Sequence, residues 1–251
     1  MDSSELLKKR FRELADKSYN SGVYFFTDFL GLAEQALFAE IKPYISHVPY
    51  TAFGGACGCE RIMIRFGDEE SFGYIEDFPI VCIKAEPVSQ KFADKLTHRD
   101  FLGALLNLGI ERSTLGDIPI VDNIGYIFAK EDIAPFIASE LKRVKHTDVK
   151  LSITKNIPTG MLFRTERRKI QAVGERLDAV IAKLFSLSRS DASALFSKRL
   201  VYVDGRLCEN TSHIPKRDEI VSVRGHGRFI YLGYETTSKK GKLNIELELY
   251  V

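Results

Sequence analysis

Arg176-Leu-Asp-Ala-Val-Ile-Ala-Lys-Leu184, followed by Ser188-Arg-Ser-Asp191 and Val201-Tyr-Val-Asp-Gly205, is the stretch on which the reading of this chain turns. Leu177, Val180, Ile181 and Leu184 fall at i, i+3, i+4 and i+7, the stripe of a helix that buries one face. Arg176 and Lys183 flank that stripe. Ser188 is a good N-cap, and Ala192, Leu195 and Phe196 continue as a second apolar stripe. Val201-Tyr-Val203 alternates as a strand, and the readiness of Asp204-Gly205 for positive φ predicts a hairpin turn. A second turn at Pro215-Lys-Arg-Asp218 and a strand from Glu219 to Val223 lead into Arg224-Gly-His-Gly-Arg-Phe229. The predicted order is helix, helix, hairpin, with basic residues at most corners.

Those corners suit structured RNA. Arg189 falls in the first turn of a helix, whose free N–H groups already favour an anion, and a guanidinium adds a planar fork for phosphate oxygens. The candidate RNA-binding residues are Arg176, Lys183, Ser188, Arg189, Ser190, Lys198, Arg199, Asp204, Arg206, Arg224 and Arg228. Tyr202, Phe229 and Tyr231 have the rings to stack on a base, but their alternation within strands favours packing.

This segment resembles the alpha-L (S4-like) RNA-binding motif over about fifty residues. The resemblance rests on Arg176-Leu-Asp178, Ser188-Arg-Ser190, Val201-Tyr-Val-Asp-Gly205 and Asp218-Glu-Ile-Val-Ser-Val-Arg-Gly225, in that order. By position, Arg176, Ser188, Arg189 and Lys198 match the part of the motif that faces RNA. Where the motif has glycine at the end of its second helix this chain has Arg199, and Asp204 and Arg206 depart from its usual turn residues.

The chain has 251 residues, a formal charge of +2, 45% hydrophobic and 28% charged residues, the profile of an ordinary soluble protein of two or three small domains. The charge is unevenly spread: residues 151–251 hold 18 Lys and Arg against 11 Asp and Glu, a net of +7, leaving −5 for the first 150. A polyanion is therefore expected at the C-terminal part. No apolar run approaches a membrane span and Met1 to Arg10 has no signal-peptide core, which predicts a cytoplasmic protein. Cys57, Cys59, Cys82 and Cys208 are too few and too scattered for a disulfide framework, and Cys57-Gly-Cys59 lacks the second pair of a structural zinc site; no metal and no cofactor is expected.

The front half predicts helices over residues 4–19 and 27–42, the second capped by Thr27 or Asp28, then extended stretches at Tyr50 to Gly55 and Glu60 to Phe66. Gly54-Gly55 lacks the setting of a phosphate loop and reads as a structural turn. Strands at Ile80 to Ile83, Ile118 to Val121, Gly125 to Ala129 and Val149 to Ile153, with helices at His98 to Leu108 and from Asp132, give the split β-α-β-β-α-β order of ferredoxin-like and RNA-recognition domains. Gly125-Tyr-Ile-Phe128 only hints at the aromatic signature of the latter. His98, Arg99 and Asp100 open a helix, where caps and ion pairs are the commoner role.

Phe53-Gly-Gly55, Cys59-Glu-Arg61, Thr97-His-Arg-Asp100 through Arg112, Leu115-Gly-Asp-Ile118, Arg224 to Phe229 and Lys239-Lys-Gly241 together resemble the bacterial YlmH family along nearly the whole chain. The resemblance implies an α+β protein in three parts: an N-terminal helical and strand region (1–78), a ferredoxin-like RNA-binding domain (79–155), and a linker with an alpha-L domain (156–251, core 174–229). It implies a non-catalytic factor of ribosome-associated quality control. Such a factor binds rRNA and peptidyl-tRNA on the large ribosomal subunit while alanine tails are added, alongside other quality-control factors, with no membrane and no DNA partner. His98, Arg99 and Arg112 mark a second RNA or partner surface. The linker near Asn156 to Gly160 permits reorientation through Pro158 and Gly160.

Two other classes remain open. An RNA-modifying enzyme would need a catalytic half, but Glu175 interrupts the Gly-Arg-Leu-Asp order of a pseudouridine synthase, and neither Gly54-Gly55 nor Gly225-His-Gly227 supplies a methyltransferase turn. A protein-docking module would use the acidic front half.

Overall fold

The computed structural model describes residues 3–155, 157, 162–237 and 241–250. The predicted linker residues Asn156 and Pro158 to Gly160, with Lys239 and Lys240 of the family motif, lie outside the described residues. The fold is α+β with three antiparallel sheets, and the chain divides into two compact units, Met1–Phe163 and Arg164–Val251.

In the first unit, helices α1 (Ser3–Ser21) and α2 (Leu32–Ile41) pack on a small sheet of order β1-β3-β2, made of β1 (Phe25–Phe26), β2 (Tyr50–Phe53) and β3 (Met63–Phe66). Phe11, Leu14, Phe38 and Ile41 from the helices meet Ile64 and Phe66 from β3, so the two amphipathic stripes share one core. The second helix starts later than its periodicity suggests. Residues 27–31 are drawn out beside β3: the Thr27 N–H donates to the Ile64 carbonyl at 2.9 Å and Leu30 exchanges backbone bonds with Ile62. The expected caps at Thr27 or Asp28 are therefore replaced by Gly31, whose N–H donates to the Glu34 carboxylate. A short helix α3 (Glu69–Phe72), capped by Asp68, leads onward.

The next elements keep the predicted order with one unpredicted two-residue strand, β7, added: β4 (Ile80–Pro87), α4 (His98–Asn107), β5 (Ile120–Val121), β6 (Ile124–Lys130), α5 (Ala134–Glu140), β7 (Arg143–Val144) and β8 (Thr147–Thr154). The sheet order is β5-β6-β4-β8-β7, so β4 lies between β6 and β8 and pairs antiparallel with both. One face carries Ile83, Ala85, Ile127 and Ala129 against Phe101 and Leu105 of α4 and Ile137 of α5. The other face is covered too: Cys82, Tyr126 and Phe128 cluster with Phe29, Ala56, Met63 and Leu162. The N-terminal region and the middle sheet thus share a hydrophobic core.

Gly55 explains how close that packing is. It has φ +101°, and a Cβ there would lie 2.3 Å from Cδ1 of Phe128. Only a residue without a side chain brings backbone onto that ring. The structural reading of Gly54-Gly55 agrees with this contact.

The second unit is a six-stranded sheet with two helices. Strand β9 (Thr165–Ala172) precedes α6 (Leu177–Leu184) and α7 (Arg189–Ser197), then come β10 (Val201–Val203), β11 (Arg206–Leu207), β12 (Ile220–Val223), β13 (Gly227–Thr237) and β14 (Leu243–Tyr250). The order is β11-β10-β12-β13-β14-β9. The expected hairpin forms at Asp204-Gly205, both at positive φ, with Val203 paired to Arg206. Leu177, Val180, Ile181, Leu195 and Phe196 enter one core with Val221, Val223, Phe229 and Leu247.

Arg199 takes the left-handed position that favours glycine, with φ +58°. The Leu200 N–H donates to the Leu195 carbonyl at 3.0 Å and the Arg199 N–H to the Phe196 carbonyl at 2.9 Å. That is the double closure of a Schellman motif, so α7 ends as a glycine would end it despite the arginine.

Candidate nucleic-acid interface

Two arginines of the second unit, Arg176 and Arg189, meet at one carboxylate. Asp178 is 2% exposed, because α6 is buried along most of its length. The Arg176 guanidinium donates from Nε to Oδ1 and from Nη2 to Oδ2 of Asp178, both at 3.1 Å. Arg189, the first residue of α7, places Nη2 3.5 Å from the same Oδ2. The arginine side chains stay 47% and 56% exposed. The carboxylate is buried, the Arg176 fork is engaged with it through Nε and Nη2, and about half of each arginine side chain remains open to water.

The helix ends themselves are largely occupied. The Leu177 and Asp178 N–H groups donate to the His213 and Thr211 carbonyls at 2.8 and 3.2 Å. At α7, Ser188 caps as predicted, its Oγ accepting from the Asp191 N–H at 3.1 Å, and it also contacts Ser190 Oγ at 2.8 Å and the Asp191 carboxylate. Lys183 and Arg189 border a cavity of about 240 Å³ lined by Ala172, Ala179, Ala182 and Leu187.

The other candidates lie elsewhere on this unit. Lys198 is exposed at the C-terminal end of α7, and the Arg199 Nε is 3.7 Å from the Glu209 carboxylate. Asp204 accepts the Ile220 N–H through Oδ1 at 2.9 Å, so its carboxylate ties the hairpin turn to the neighbouring strand β12. Arg206 is exposed on β11. Arg224 stands 5.0 Å over the Tyr202 ring and Arg228 3.9 Å over that of Tyr250. Tyr202, Phe229 and Tyr231 are buried, in line with packing; the Tyr231 hydroxyl donates to Glu175, and burial raises its pKa.

In the first unit, Thr97 and Asp100 form a capping box at the start of α4, so the cap role expected at this helix start is realised by Asp100. His98 and Arg99 are exposed; desolvation, then the charges of Arg112 and Arg99, hold the His98 imidazole below its usual pKa. Arg112 turns inward, donating to the Leu115 and Gly116 carbonyls at 2.8 and 3.0 Å. Arg61, from the Cys59-Glu-Arg61 motif, donates to the Leu115, Phe29 and Arg112 carbonyls at 2.9, 2.9 and 3.1 Å. Asp117 accepts the backbone N–H groups of Glu60 and Arg61. Burial, then the charge of Arg61, lowers the Arg112 guanidinium to about 10. The motifs of the front half thus join the N-terminal region to the middle sheet.

Sequence reasoning quoted Asp178 within a motif without seeing it as the organiser of the arginines, and took Arg112 as a surface group. A carboxylate two residues after an arginine was the available signal for the first. The second had none, because carbonyl acceptors leave no mark on side-chain spacing.

With this geometry in view, comparison with known proteins bears on what binds here. Residues 74–157 match the family model described as "Putative RNA-binding domain in YlmH". Over those residues the chain is similar to YlmH proteins. A relative from Bacillus subtilis (strain 168), "Ribosome-associated protein quality control protein P2", is 28% identical over 229 residues, covering 88% of this chain and 86% of that protein. A solved structure, "Cell division protein ylmH from Streptococcus pneumoniae", is 22% identical with a TM-score of 0.48, covering 61% of this chain and 92% of that one. The YlmH match falls on the sheet whose two faces are both covered, and the Arg176–Asp178–Arg189 group lies outside it.

Proposed function

We propose that this protein is a non-catalytic clamp for structured RNA, acting in the cytoplasm on large ribosomal subunits that carry peptidyl-tRNA, as a ribosome-associated quality-control factor during alanine tailing. The observation that carries the reading is the buried Asp178 carboxylate, which fixes Arg176 and Arg189, both still about half exposed, at the starts of two consecutive helices. Structured RNA offers shape, phosphates and 2′-hydroxyls, and a rigid helix pair with two half-exposed guanidinium groups held in place matches that kind of surface. Phosphate contacts position a protein without reading sequence. Residues 174–229 act as the core of the alpha-L domain, and Lys183, Lys198 and Arg199 add positive charge on the same unit. Residues 79–155 act as a ferredoxin-like RNA-binding domain, a reading supported by the strand order and by the description of the matched family. The name of the Bacillus subtilis relative supports the ribosomal setting.

The test is co-sedimentation of the purified chain with separated ribosomal subunits, with and without peptidyl-tRNA, over a salt series. Salt-sensitive binding to large subunits that peptidyl-tRNA strengthens is expected. The Arg176→Ala, Arg189→Ala double variant should lose that binding while melting like the parent. Undiminished binding by a folded double variant would falsify the clamp.

A further inference from the structure

The first unit carries a cationic feature of its own. An open groove of about 620 Å³ runs between α4 and the corner where α5 gives way to β7. Arg99, Lys142, Arg143 and Lys145 line it, against Asp100 and Glu140. Asp100 is already engaged, accepting from the Thr97 N–H and hydroxyl at 2.8 and 2.7 Å, with the Lys145 ammonium 3.7 Å away. Arg143 donates to the His146 carbonyl at 3.3 Å and lies 3.8 Å from Asp148. Among the described residues Arg99 and Lys142 make no ion pair, and both are exposed. The α4 wall is low at Gly103 and Ala104, which admits a backbone between the cations. From Arg99 to Asn107 that wall rises about 12 Å.

The sheet of the same domain is closed to the usual alternative. RNA-recognition sheets stack bases on aromatic residues of their central strands. Here Tyr126 and Phe128 of β6 are 7% and 0% exposed, beneath Phe29, Met63 and the backbone of Gly55. A base reaches those rings only if the N-terminal region leaves. RNA held by this domain must therefore lie on another face, and the groove along α4 is a face with surplus positive charge.

We infer that this groove is a second RNA site, one that grips the phosphate backbone of a folded strand without base readout. It rests on the reading of the chain as an RNA-binding protein and gives the first unit its own grip on RNA. Two cationic sites on one chain make overall affinity a product of linked binding events.

The experiment uses the full chain, fluorescence anisotropy with a labelled tRNA stem-loop, and a salt series. Four proteins are compared: the parent, Arg99→Glu with Lys142→Glu, Arg176→Ala with Arg189→Ala, and all four changes together. The groove variant is expected to bind at least about tenfold more weakly and to lower the log–log salt slope by roughly 0.7 to 0.9 for each phosphate that it no longer neutralises. Arg99→Lys with Lys142→Arg should retain the slope. If charge reversal lowers the melting temperature, Arg99→Gln with Lys142→Gln gives the same readout without new charge. Parental affinity and slope in a folded groove variant overturn the proposal. Loss of binding to a polyglutamate peptide with RNA binding unchanged overturns it too, by making the groove a protein site. Weaker binding in the groove variant with none in Arg176→Ala, Arg189→Ala would leave the groove standing and remove the clamp.

Discussion

Arg176 and Asp178, two residues apart, form a two-pronged ion pair across the first turn of α6, with both N–O distances 3.1 Å and the carboxylate buried. The pair determines where a positive charge points, and Arg189 joins it from the next helix at 3.5 Å.

That arrangement separates positioning from net charge. Asp178→Asn removes a negative charge beside the arginines, so an argument from charge alone predicts tighter RNA binding. If the carboxylate aims the two guanidinium forks, the variant binds several-fold more weakly despite its higher charge. Anisotropy against an RNA hairpin, with a thermal melt alongside, decides the sign; tighter binding by a folded Asp178→Asn protein would remove the positioning role.

Arg199 occupies a left-handed backbone position at φ +58°. An L side chain there costs roughly 1 to 2 kcal/mol that glycine avoids. Arg199→Gly is expected to raise stability by about 1 kcal/mol in urea denaturation, after glycine's larger unfolded-state entropy is set against the gain. If Arg199 also touches phosphate, the same variant binds RNA more weakly while folding better. A less stable variant would contradict the backbone argument.

Arg61 satisfies three carbonyls from one planar group. Lysine retains the charge but not the fork, so it cannot serve all three carbonyls, and that of Phe29 has no other donor among the described residues. Arg61→Lys should cost about 2 to 4 kcal/mol, on the scale of one or two charged hydrogen bonds. Chemical denaturation followed through signals of the first unit would show it, and a neutral substitution would mean that water replaces the guanidinium.

Glu246 is buried on β14 and paired with Lys169 on β9, whose ammonium holds the carboxyl below its usual 4.5. A depressed folded-state pKa contributes stability that is present above the unfolded value and is lost as pH falls through the folded one. Stability of the second unit should therefore decline below about pH 4.5, and Lys169→Met should move the Glu246 titration upward by NMR. An unmoved titration would assign the shift to some other group.

Local patterns explain why the second unit was partly legible. The 3.6-residue stripes of Leu177 to Leu184 and Ala192 to Phe196, the cap at Ser188 and the turn at Asp204-Gly205 are set by nearest-neighbour sterics and hydrogen bonds, and all four appear as read. The alternation Leu243, Ile245, Leu247, Leu249 was equally available as a strand signal and was overlooked; β9, almost wholly polar from Thr165 to Lys169, offered none, because it is an edge strand held by its pairing with β14. Residues 27–31 misled for a related reason. Their composition permits a helix, and pairing with Ile62 and Ile64 of the β3 side draws them out.

The sequence by itself determined the helix-helix-hairpin order from Leu177 to Leu207, the resemblance to YlmH, and the cationic character of the C-terminal part, since these follow from periodicity, residue identity and charge. The tertiary structure decided which cations face water. It placed Asp178 inside between two arginines, spent Arg61 and Arg112 on backbone carbonyls, and laid Gly55 over Phe128. Each of these depends on residues far apart in the chain meeting at distances of a few ångströms, and hydrogen-bond acceptors on the backbone belong to every residue type, so no spacing in the sequence announces them.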